Sequence, residues 1–413
     1  MATVRPFKGI RAPKEIAHKL AALPYDVMNS EEARKMAEGN PHSFLHVTKP
    51  EIDLDPKIDL YNPKVYAKAK ENFQLFLSKG YLKQDPEACF YIYKQVMDGR
   101  SQVGLMCCCT AEEYWNDTIK KHELTRADKE EDRLKHVDTI NANAGPVFLT
   151  YKSKGTINSL IEKAISSSPE YDFTTSDGIR HVLWAVKDAG WGKKIIAEFA
   201  QIPVLYVADG HHRSAAASRI AKIRREKNPK HTGNEEYNFF LAVLFPHNHL
   251  HIMDYNRAVK DLNGLSSEGF LKKVEEKFTI DKMSEKKPAK PTTFGMYLSG
   301  QWFKLSARPG TFDPADPVGS LDVSILQKNL LEPILAIGDP RTDKRIDFIG
   351  GIRGMSELER IVNEGKFAVC FSMYATSIEQ LMAIADSGKI MPPKSTWFEP
   401  KLRSGVVIHS LAD

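Results

Sequence analysis

The residues with the clearest capacity for chemistry follow an apolar run that begins at Val204. They are Asp209, Gly210, His211, His212, Arg213 and Ser214. The run itself is rich in β-forming residues, and Gly210 permits a sharp backbone turn. The apolar repeat over 216–223 then predicts a helix that ends before Pro229. Because a helix start carries amide N–H groups and the positive end of the helix dipole, this spacing predicts an anion-binding turn.

Two interpretations of this turn stay open from the residues alone. In the first, Asp209 is a simple N-cap and both histidines lie on a solvated turn. In the second, the acid, the histidines, the arginine and the hydroxyl together form a ligand site. The second is favoured, because so many polar groups directly after a buried strand exceed what a cap requires. Loops at the carboxyl ends of strands are also where α/β proteins hold their ligands.

The segment 208–216 resembles the Asp-Gly-His-His-Arg motif of the ParB/sulfiredoxin-like superfamily, which includes chromosome-partitioning nucleotide hydrolases, sulfiredoxins and free-serine kinases. Almost from end to end, the chain also resembles the DUF1015 family. The matching runs are 23–27, 40–47, 50–53, the central motif and 391–396. The resemblance implies an α/β (α+β) fold, in which a ParB/sulfiredoxin-like nucleotide- and phosphate-binding core is elaborated by N-terminal and C-terminal α+β segments.

The resemblance implies a small-molecule phosphotransferase that acts on L-serine or O-phosphoserine. The direction stays open between a serine kinase and a phosphoserine phosphatase. Asp209 would hold Mg²⁺ or orient a histidine, while His211, His212 and Arg213 would neutralise the transferring phosphate. The helix start, with Gly210 and Ser214, would bind the same charge. ATP, ADP or pyrophosphate is the expected phosphate donor. Phosphoryl transfer depends mainly on positioning and on neutralising charge, and these residues supply both.

The resemblance leaves the general base open between Glu123, Asp138 and Glu51. It also carries an alternative function, a ParB-like nucleotide-binding or nucleotide-hydrolysing switch that binds DNA. That alternative requires a basic helix-turn-helix downstream of the motif, and no such pair follows Phe245. A sulfiredoxin-like reductase would require a reactive cysteine within the motif, where this chain has His211.

Two other segments offer candidate anion contacts. In the charged stretch 118–138, a helix would place Arg126, Lys129, Arg133 and His136 on one face, and Arg126 and His136 are candidates for binding phosphate. A solvated helix face is the other interpretation of that stretch. Near the end of the chain, Lys394, Ser395 and Thr396 combine a point charge with two hydroxyls. They predict a phosphate or carboxylate contact, with a plain surface loop as the alternative.

Composition sets the remaining expectations. At 413 residues, the chain is long enough for more than one core. It divides into an N-terminal α+β segment over 1–110, a motif-bearing core over 111–255 and a C-terminal α+β domain over 256–413. The net charge is only +5, which argues against a nucleic-acid partner. We expect no membrane span and a cytoplasmic protein, since no apolar run is long enough and no signal-peptide core is visible. The oligomeric state stays open.

Overall fold

The computed structural model describes residues 1–282 and 285–413. The described chain forms two compact units. Unit 1 comprises Met1–Lys121, Thr125–Leu250 and Pro400–Asp413, and unit 2 comprises His122–Leu124 and His251–Glu399. The segments 1–110, 111–255 and 256–413 map onto these units in a different grouping. The first segment and most of the second belong to unit 1, and the end of the third returns to unit 1. As a division into separately folding domains, the three segments remain a prediction.

Helices and several sheets alternate along the chain, so the predicted mixed α+β class is confirmed. The strands are β1 Ile10–Arg11, β2 Lys83–Gln84, β3 Phe90–Met97, β4 Arg100–Thr110, β5 Ile119–Lys120, β6 Ala142–Asn143, β7 Val147–Tyr151, β8 Tyr171–Thr174, β9 Arg180–Val186, β10 Leu205–Asp209, β11 Phe239–Pro246, β12 His251–Met253, β13 Tyr255–Val259, β14 Phe278–Lys282, β15 Thr293–Leu298, β16 Gln301–Ala307, β17 Ile346–Gly350, β18 Val369–Ser372, β19 Trp397–Glu399 and β20 His409–Ser410. The helices are α1 Ala17–Leu20, α2 Ser30–Ala37, α3 Leu45–Thr48, α4 Pro63–Ser78, α5 Ala111–Trp115, α6 Ala127–Ile140, α7 Gly155–Ala164, α8 Ala189–Phe199, α9 His211–Lys227, α10 Ser267–Glu275, α11 Asp322–Leu326, α12 Met355–Asn363 and α13 Ile378–Asp386.

Unit 1 is built on an eight-stranded mixed sheet in the order β5-β10-β7-β11-β4-β3-β9-β8. Its β10–β5 and β11–β7 pairs are parallel, and the other neighbours are antiparallel. Asp98 and Gly99 both have positive φ and close the β3–β4 hairpin. The central strands are apolar on both faces because helices and the N-terminal arm cover them.

The C-terminal segment of unit 1, Pro400–Asp413, pairs through its backbone with other parts of the unit at several points. Ser404 bridges Ala22, Ile408 bridges Ile10, and β20 pairs with β6. The cysteine-rich strand β4 lies in the core, and Cys107, Cys108 and Cys109 are all buried free thiols. Burial raises the pKa of the Cys108 thiol well above its ordinary value, so it is held as an inert core group.

Unit 2 contains a fully antiparallel six-stranded sheet in the order β14-β16-β15-β18-β13-β17. Strands β15 and β16 form a hairpin that turns at Ser299 and Gly300, and both residues adopt positive φ. A separate two-stranded ladder pairs β12 with β19. In both units, none of the helices formed by the described residues is long and apolar enough to span a bilayer.

Candidate functional site

The predicted strand–turn–helix is present in unit 1. Strand β10 ends at Asp209, Gly210 follows with φ +93°, and α9 begins at His211. The register of β10 against β7 shifts between Val207 and Asp209. Such a bulge re-aims the side chain beside it. The prediction that Asp209 caps α9 is wrong, because Gly210 occupies the cap position and no side chain caps the helix. The Asp209 carboxylate is therefore available for other contacts.

Lys401 is the principal partner of Asp209. Its Nζ lies 3.1 Å from Asp209 Oδ2, and the side chains are 9% and 26% exposed, respectively. The Arg213 guanidinium approaches the same oxygen at 4.0 Å. Burial favours the neutral acid, but the two cations outweigh it and hold the pKa of Asp209 well below its usual range. The turn thus carries a fixed carboxylate bracketed by two cations.

Sequence reasoning did not identify Lys401. It lies 192 residues from Asp209 along the chain, in a segment with no motif spacing of its own. Its position is set by the backbone on either side of it: the Lys401 carbonyl accepts from Gln95 Nε2 at 2.9 Å, and the Pro400 carbonyl accepts from Gln102 Nε2 at 3.3 Å. Both glutamines lie on the β3–β4 hairpin. The central sheet therefore places this lysine.

The remaining motif residues are held by defined contacts. Arg213 donates to the Pro146 carbonyl. Ser214 is fully buried, and its hydroxyl donates to the carbonyl of His211 at 3.0 Å. Burial lowers the pKa of His211 to about 4, which makes the imidazole neutral at pH 7. His212 Nε2 accepts the amide N–H of Arg126 at 3.1 Å.

The basic residues that the sequence places on one face of α6 do not share one environment, since some are exposed and others are buried. Arg126 lies just before the helix, is exposed, and pairs with Asp128 at 2.9 Å. Arg133 turns inward instead, where it bonds Asp132 Oδ2 at 2.6 Å and lies 3.9 Å from the centre of the Tyr25 ring. Tyr25 feels the charges of both Arg133 and Arg213, although burial is the main reason that its pKa is raised. Tyr25 and Arg133 therefore stack against each other in the interior of unit 1.

His136 also faces the interior. Its Nε2 donates to the Val47 carbonyl at 2.8 Å, and burial lowers its pKa to about 4. A neutral, hydrogen-bonded imidazole contributes little charge to an anion at pH 7. The structure therefore places His136 as a link between α6 and α3, and a role in phosphate binding remains a prediction.

This burial makes His136 a source of acid sensitivity. Between pH 6.5 and 4, the unfolded chain binds a proton at His136 that the folded chain does not, so stability falls as the pH falls. We expect His136→Gln to reduce the slope of unfolding free energy against pH by about 1.4 kcal/mol per pH unit. Urea denaturation across this range measures it. The exposed His18→Gln variant is the control, and equal slopes in wild type and His136→Gln would contradict the prediction.

Gly210 is required by its backbone conformation and by space. Its φ is +93°, and an added Cβ would lie 3.1 Å from the Arg213 guanidinium. Gly233 has the same φ with nothing within 4 Å of an added Cβ, so it offers a matched control. We expect Gly233→Ala to cost about 1 kcal/mol and Gly210→Ala about 2 kcal/mol. Urea unfolding tests this, and equal costs would show that the Arg213 contact is unimportant.

The three candidate bases occupy different settings. Asp138 is exposed and pairs with Arg224 at 2.7 Å. Glu51 is buried in unit 1, where it accepts from Ser30 Oγ at 2.7 Å and lies 3.1 Å from Lys49 Nζ. Glu123 belongs to the short segment grouped with unit 2. Lys394, Ser395 and Thr396 also belong to unit 2.

Unit 1 is thus a mixed α+β unit with an ion-paired acid at a strand-to-helix turn. The chain matches the family described as "Protein of unknown function (DUF1015)" over residues 4–324 and belongs to that family. No curated protein matches it.

Several solved structures are similar to the chain at low identity. A free serine kinase in complex with AMP is 12% identical, with a TM-score of 0.39, over 72% of this chain and 91% of the other. SbnI with a C-terminal truncation from Staphylococcus aureus is 10% identical, with a TM-score of 0.41, over 72% and 85%. A conserved hypothetical protein from Pyrococcus furiosus is 13% identical, with a TM-score of 0.36, over 72% and 93%.

Proposed function

We propose that this protein is a cytoplasmic small-molecule phosphotransferase whose unit 1 turn binds the phosphoryl group. The observation that carries the proposal is the Lys401–Asp209–Arg213 cluster at the start of a 17-residue helix. Phosphoryl transfer requires fixed positive charge and accurate positioning more than covalent chemistry by the protein. The turn offers two cations whose charged ends flank one carboxylate, together with the positive end of a helix dipole.

Each residue of the cluster has a distinct proposed role. Lys401 and Arg213 neutralise the charge on the transferring group, and Asp209 holds both cations in place. His211 is neutral at pH 7. Its imidazole can therefore accept a proton directly, without first having to release one. Gly210 keeps side-chain atoms away from the turn, while Ser214 stabilises the first turn of α9 from inside.

Asp209 does not fit a resident Mg²⁺ site by its own contacts. Mg²⁺ is held by carboxylate, phosphate and water oxygens in octahedral geometry. Here Oδ2 is already ion-paired with Lys401 and close to Arg213, and Oδ1 accepts the Gly210 amide N–H at 2.8 Å. Two cations beside one carboxylate oppose a third. Magnesium therefore enters the assays below only as the counter-ion of the nucleotide substrate.

L-serine and O-phosphoserine are the proposed substrates, on the strength of the motif resemblance. In the kinase direction, the serine hydroxyl attacks the terminal phosphorus of ATP, the bond to the ADP oxygen breaks, and the hydroxyl proton leaves to a base. ADP or pyrophosphate would donate in the same way, releasing AMP or phosphate. In the phosphatase direction, water attacks O-phosphoserine and releases serine and phosphate.

Phosphorus NMR tests the proposal directly. Purified protein and Mg²⁺ would be incubated with L-serine plus ATP, ADP or pyrophosphate, and separately with O-phosphoserine. We expect phosphoserine to appear or disappear with wild type and not with Asp209→Ala. Glu51→Gln, Glu123→Gln and Asp138→Asn, assayed in parallel, identify the base. Silence in every mixture would exclude serine as substrate, and salt-dependent DNA binding in that case would favour the nucleotide-switch alternative.

A further inference from the structure

An ion pair within unit 1 joins two of the runs that carry the family resemblance, 40–47 and 50–53. His46 lies on α3, and Asp53 ends the short 3₁₀ turn Pro50–Asp53 that follows this helix. His46 Nδ1 lies 2.8 Å from Asp53 Oδ1 and 3.0 Å from Asp53 Oδ2. The two side chains are 20% and 25% exposed, respectively. The phosphotransferase proposal gives this pair no role.

The contacts of the imidazole ring determine its charge. His46 Nε2 lies 3.2 Å from the Asn40 carbonyl, which can only accept a hydrogen bond, so Nε2 must donate. Nδ1 faces the Asp53 carboxylate, which also only accepts when it is ionised. A neutral imidazole has one donor nitrogen, whereas both nitrogens of an imidazolium donate. The contacts therefore require the charged form of His46 beside an ionised Asp53.

The pKa values of the two partners agree with this assignment. The hydrogen bond to Asp53 is the main reason that the pKa of His46 is raised. Burial disfavours the Asp53 carboxylate, but the hydrogen bonds from His46 and from Asn72 outweigh burial and lower the pKa of Asp53. Each partner thus keeps the other in its charged form.

Further charged groups on the elements packed against α3 have partners of their own. Lys68 on α4 opposes protonation of the ring, and it pairs with Glu71 at 2.9 Å. On the turn, Glu51 pairs with Lys49 at 3.1 Å. On α2, Arg34 Nη2 donates to the Glu51 carbonyl at 2.9 Å. Asp53 is therefore the acid that sets the charge of the ring.

The pair lies where three elements meet. Asn72 on α4 donates to the His46 carbonyl on α3 and to Asp53 Oδ2 on the turn, both at 2.7 Å. The turn also holds α2, because Ser30 Oγ donates to Glu51 Oε1 at 2.7 Å. Loss of the pair would therefore weaken the attachment of the turn to both α3 and α4.

We propose that His46 and Asp53 form a pH-sensitive clamp that holds the turn 50–53, and through it α2, against α3 and α4. The clamp is closed while the ring is charged. When the ring loses a proton, only one nitrogen can still donate, so either the Asn40 carbonyl or the Asp53 carboxylate loses its hydrogen bond. The turn then opens more often. The clamp goes beyond the proposed phosphotransferase function and does not depend on it.

The pH range of the opening follows from the raised pKa of His46. The contribution of this histidine to stability is complete below its unfolded pKa of 6.5, and it is lost as the pH rises through the folded pKa. The pKa of Asp53 is lowered, so the contribution of this acid is lost only as the pH falls through its folded pKa. The range above pH 6.5 therefore reports on His46 and not on Asp53.

Two measurements on the full chain test the clamp. In NMR with ¹⁵N-labelled histidine, where His46→Gln assigns the resonances, we expect a His46 pKa above the ordinary histidine value and a lower one in Asp53→Asn. Hydrogen exchange followed by mass spectrometry measures the opening. Protection of residues 40–54, corrected for the intrinsic effect of pH, should fall about fivefold between about pH 6.5 and about pH 8.5. This is the size expected for loss of a partly exposed charged hydrogen bond.

Matched variants separate the clamp from a general effect of pH. His231→Gln removes another histidine beside an acid, 3.1 Å from Glu235, and should leave the pH dependence of residues 40–54 unchanged. His46→Gln and Asp53→Asn should each abolish it, and Asp53→Asn decides the question if His46→Gln fails to fold. A His46 pKa at or below the ordinary value, or an equal change in protection in wild type and Asp53→Asn, would overturn the inference.

Discussion

Replacing Lys401 with methionine is expected to lower the rate of phosphoryl transfer by about 100-fold or more. Removing one fixed positive group from a site that stabilises developing charge typically has an effect of this size. The substitution keeps the length of the buried aliphatic stem and removes only the ammonium that lies 3.1 Å from Asp209. Initial rates of the serine and phosphoserine reactions, compared with wild type, provide the measurement.

The same variant should also be less stable. It leaves the half-buried Asp209 carboxylate with only the more distant Arg213, and loss of one partner from such a partly buried ion pair costs about 2 kcal/mol. The pKa of Asp209 is depressed in the folded protein, so its stabilising contribution is present above the unfolded pKa and is lost as pH falls through the folded one. Without Lys401 the folded pKa rises, and acid unfolding should begin at a higher pH.

Arg403 provides the matched control for Lys401. It lies two positions further along the same segment, is 2% exposed, and pairs with Asp177 rather than Asp209. Arg403→Met should therefore destabilise unit 1 without a selective loss of transfer rate at temperatures where it stays folded. The double variant Asp209→Asn with Lys401→Met should recover stability but not activity. Transfer at the wild-type rate by Lys401→Met would contradict the proposed role.

The sequence predicted the local part of the site because local patterns specify it. An apolar run, a glycine and a helical repeat are sufficient to place β10, Gly210 and α9 within a few residues. The β3–β4 hairpin is local in the same way, since an Asp-Gly pair between two β-forming runs specifies its turn at Asp98 and Gly99. Strand and helix periods are short-range properties, so a single window of sequence contains them.

The non-local part of the site could not be predicted in this way. Lys401 reaches Asp209 only because the chain leaves unit 1 after Leu250 and returns at Pro400. On α6, the helical period places Arg126, Arg133 and His136 on one face without showing which end of that face is buried. Burial of Arg133 against Tyr25 depends on the arm that precedes α2. Tertiary packing, rather than propensity, decides these contacts.

Ending the chain at Glu399 is expected to have the largest effect on stability, because it removes the segment Pro400–Asp413 with which the chain returns to unit 1. The removed segment contains the buried aliphatic residues Leu402, Val406, Val407, Ile408 and Leu411. Each contributes about 1.5–3 kcal/mol through burial, and together they match the total stability of a typical domain. We therefore expect unit 1 of the shortened chain not to fold.

Circular dichroism and limited proteolysis measure this outcome, and removal of only Ala412 and Asp413, which are exposed, is the control. The shortened chain should lose the ellipticity of unit 1 and be cleaved within Met1–Lys121 and Thr125–Leu250. An unchanged unfolding midpoint would show that the segment is merely laid on the surface. Lys401 belongs to the segment that completes the core, so loss of the segment would remove both the fold of unit 1 and the anion-binding turn at Asp209. Lys401→Met, in contrast, removes the charge from that turn and leaves the core in place.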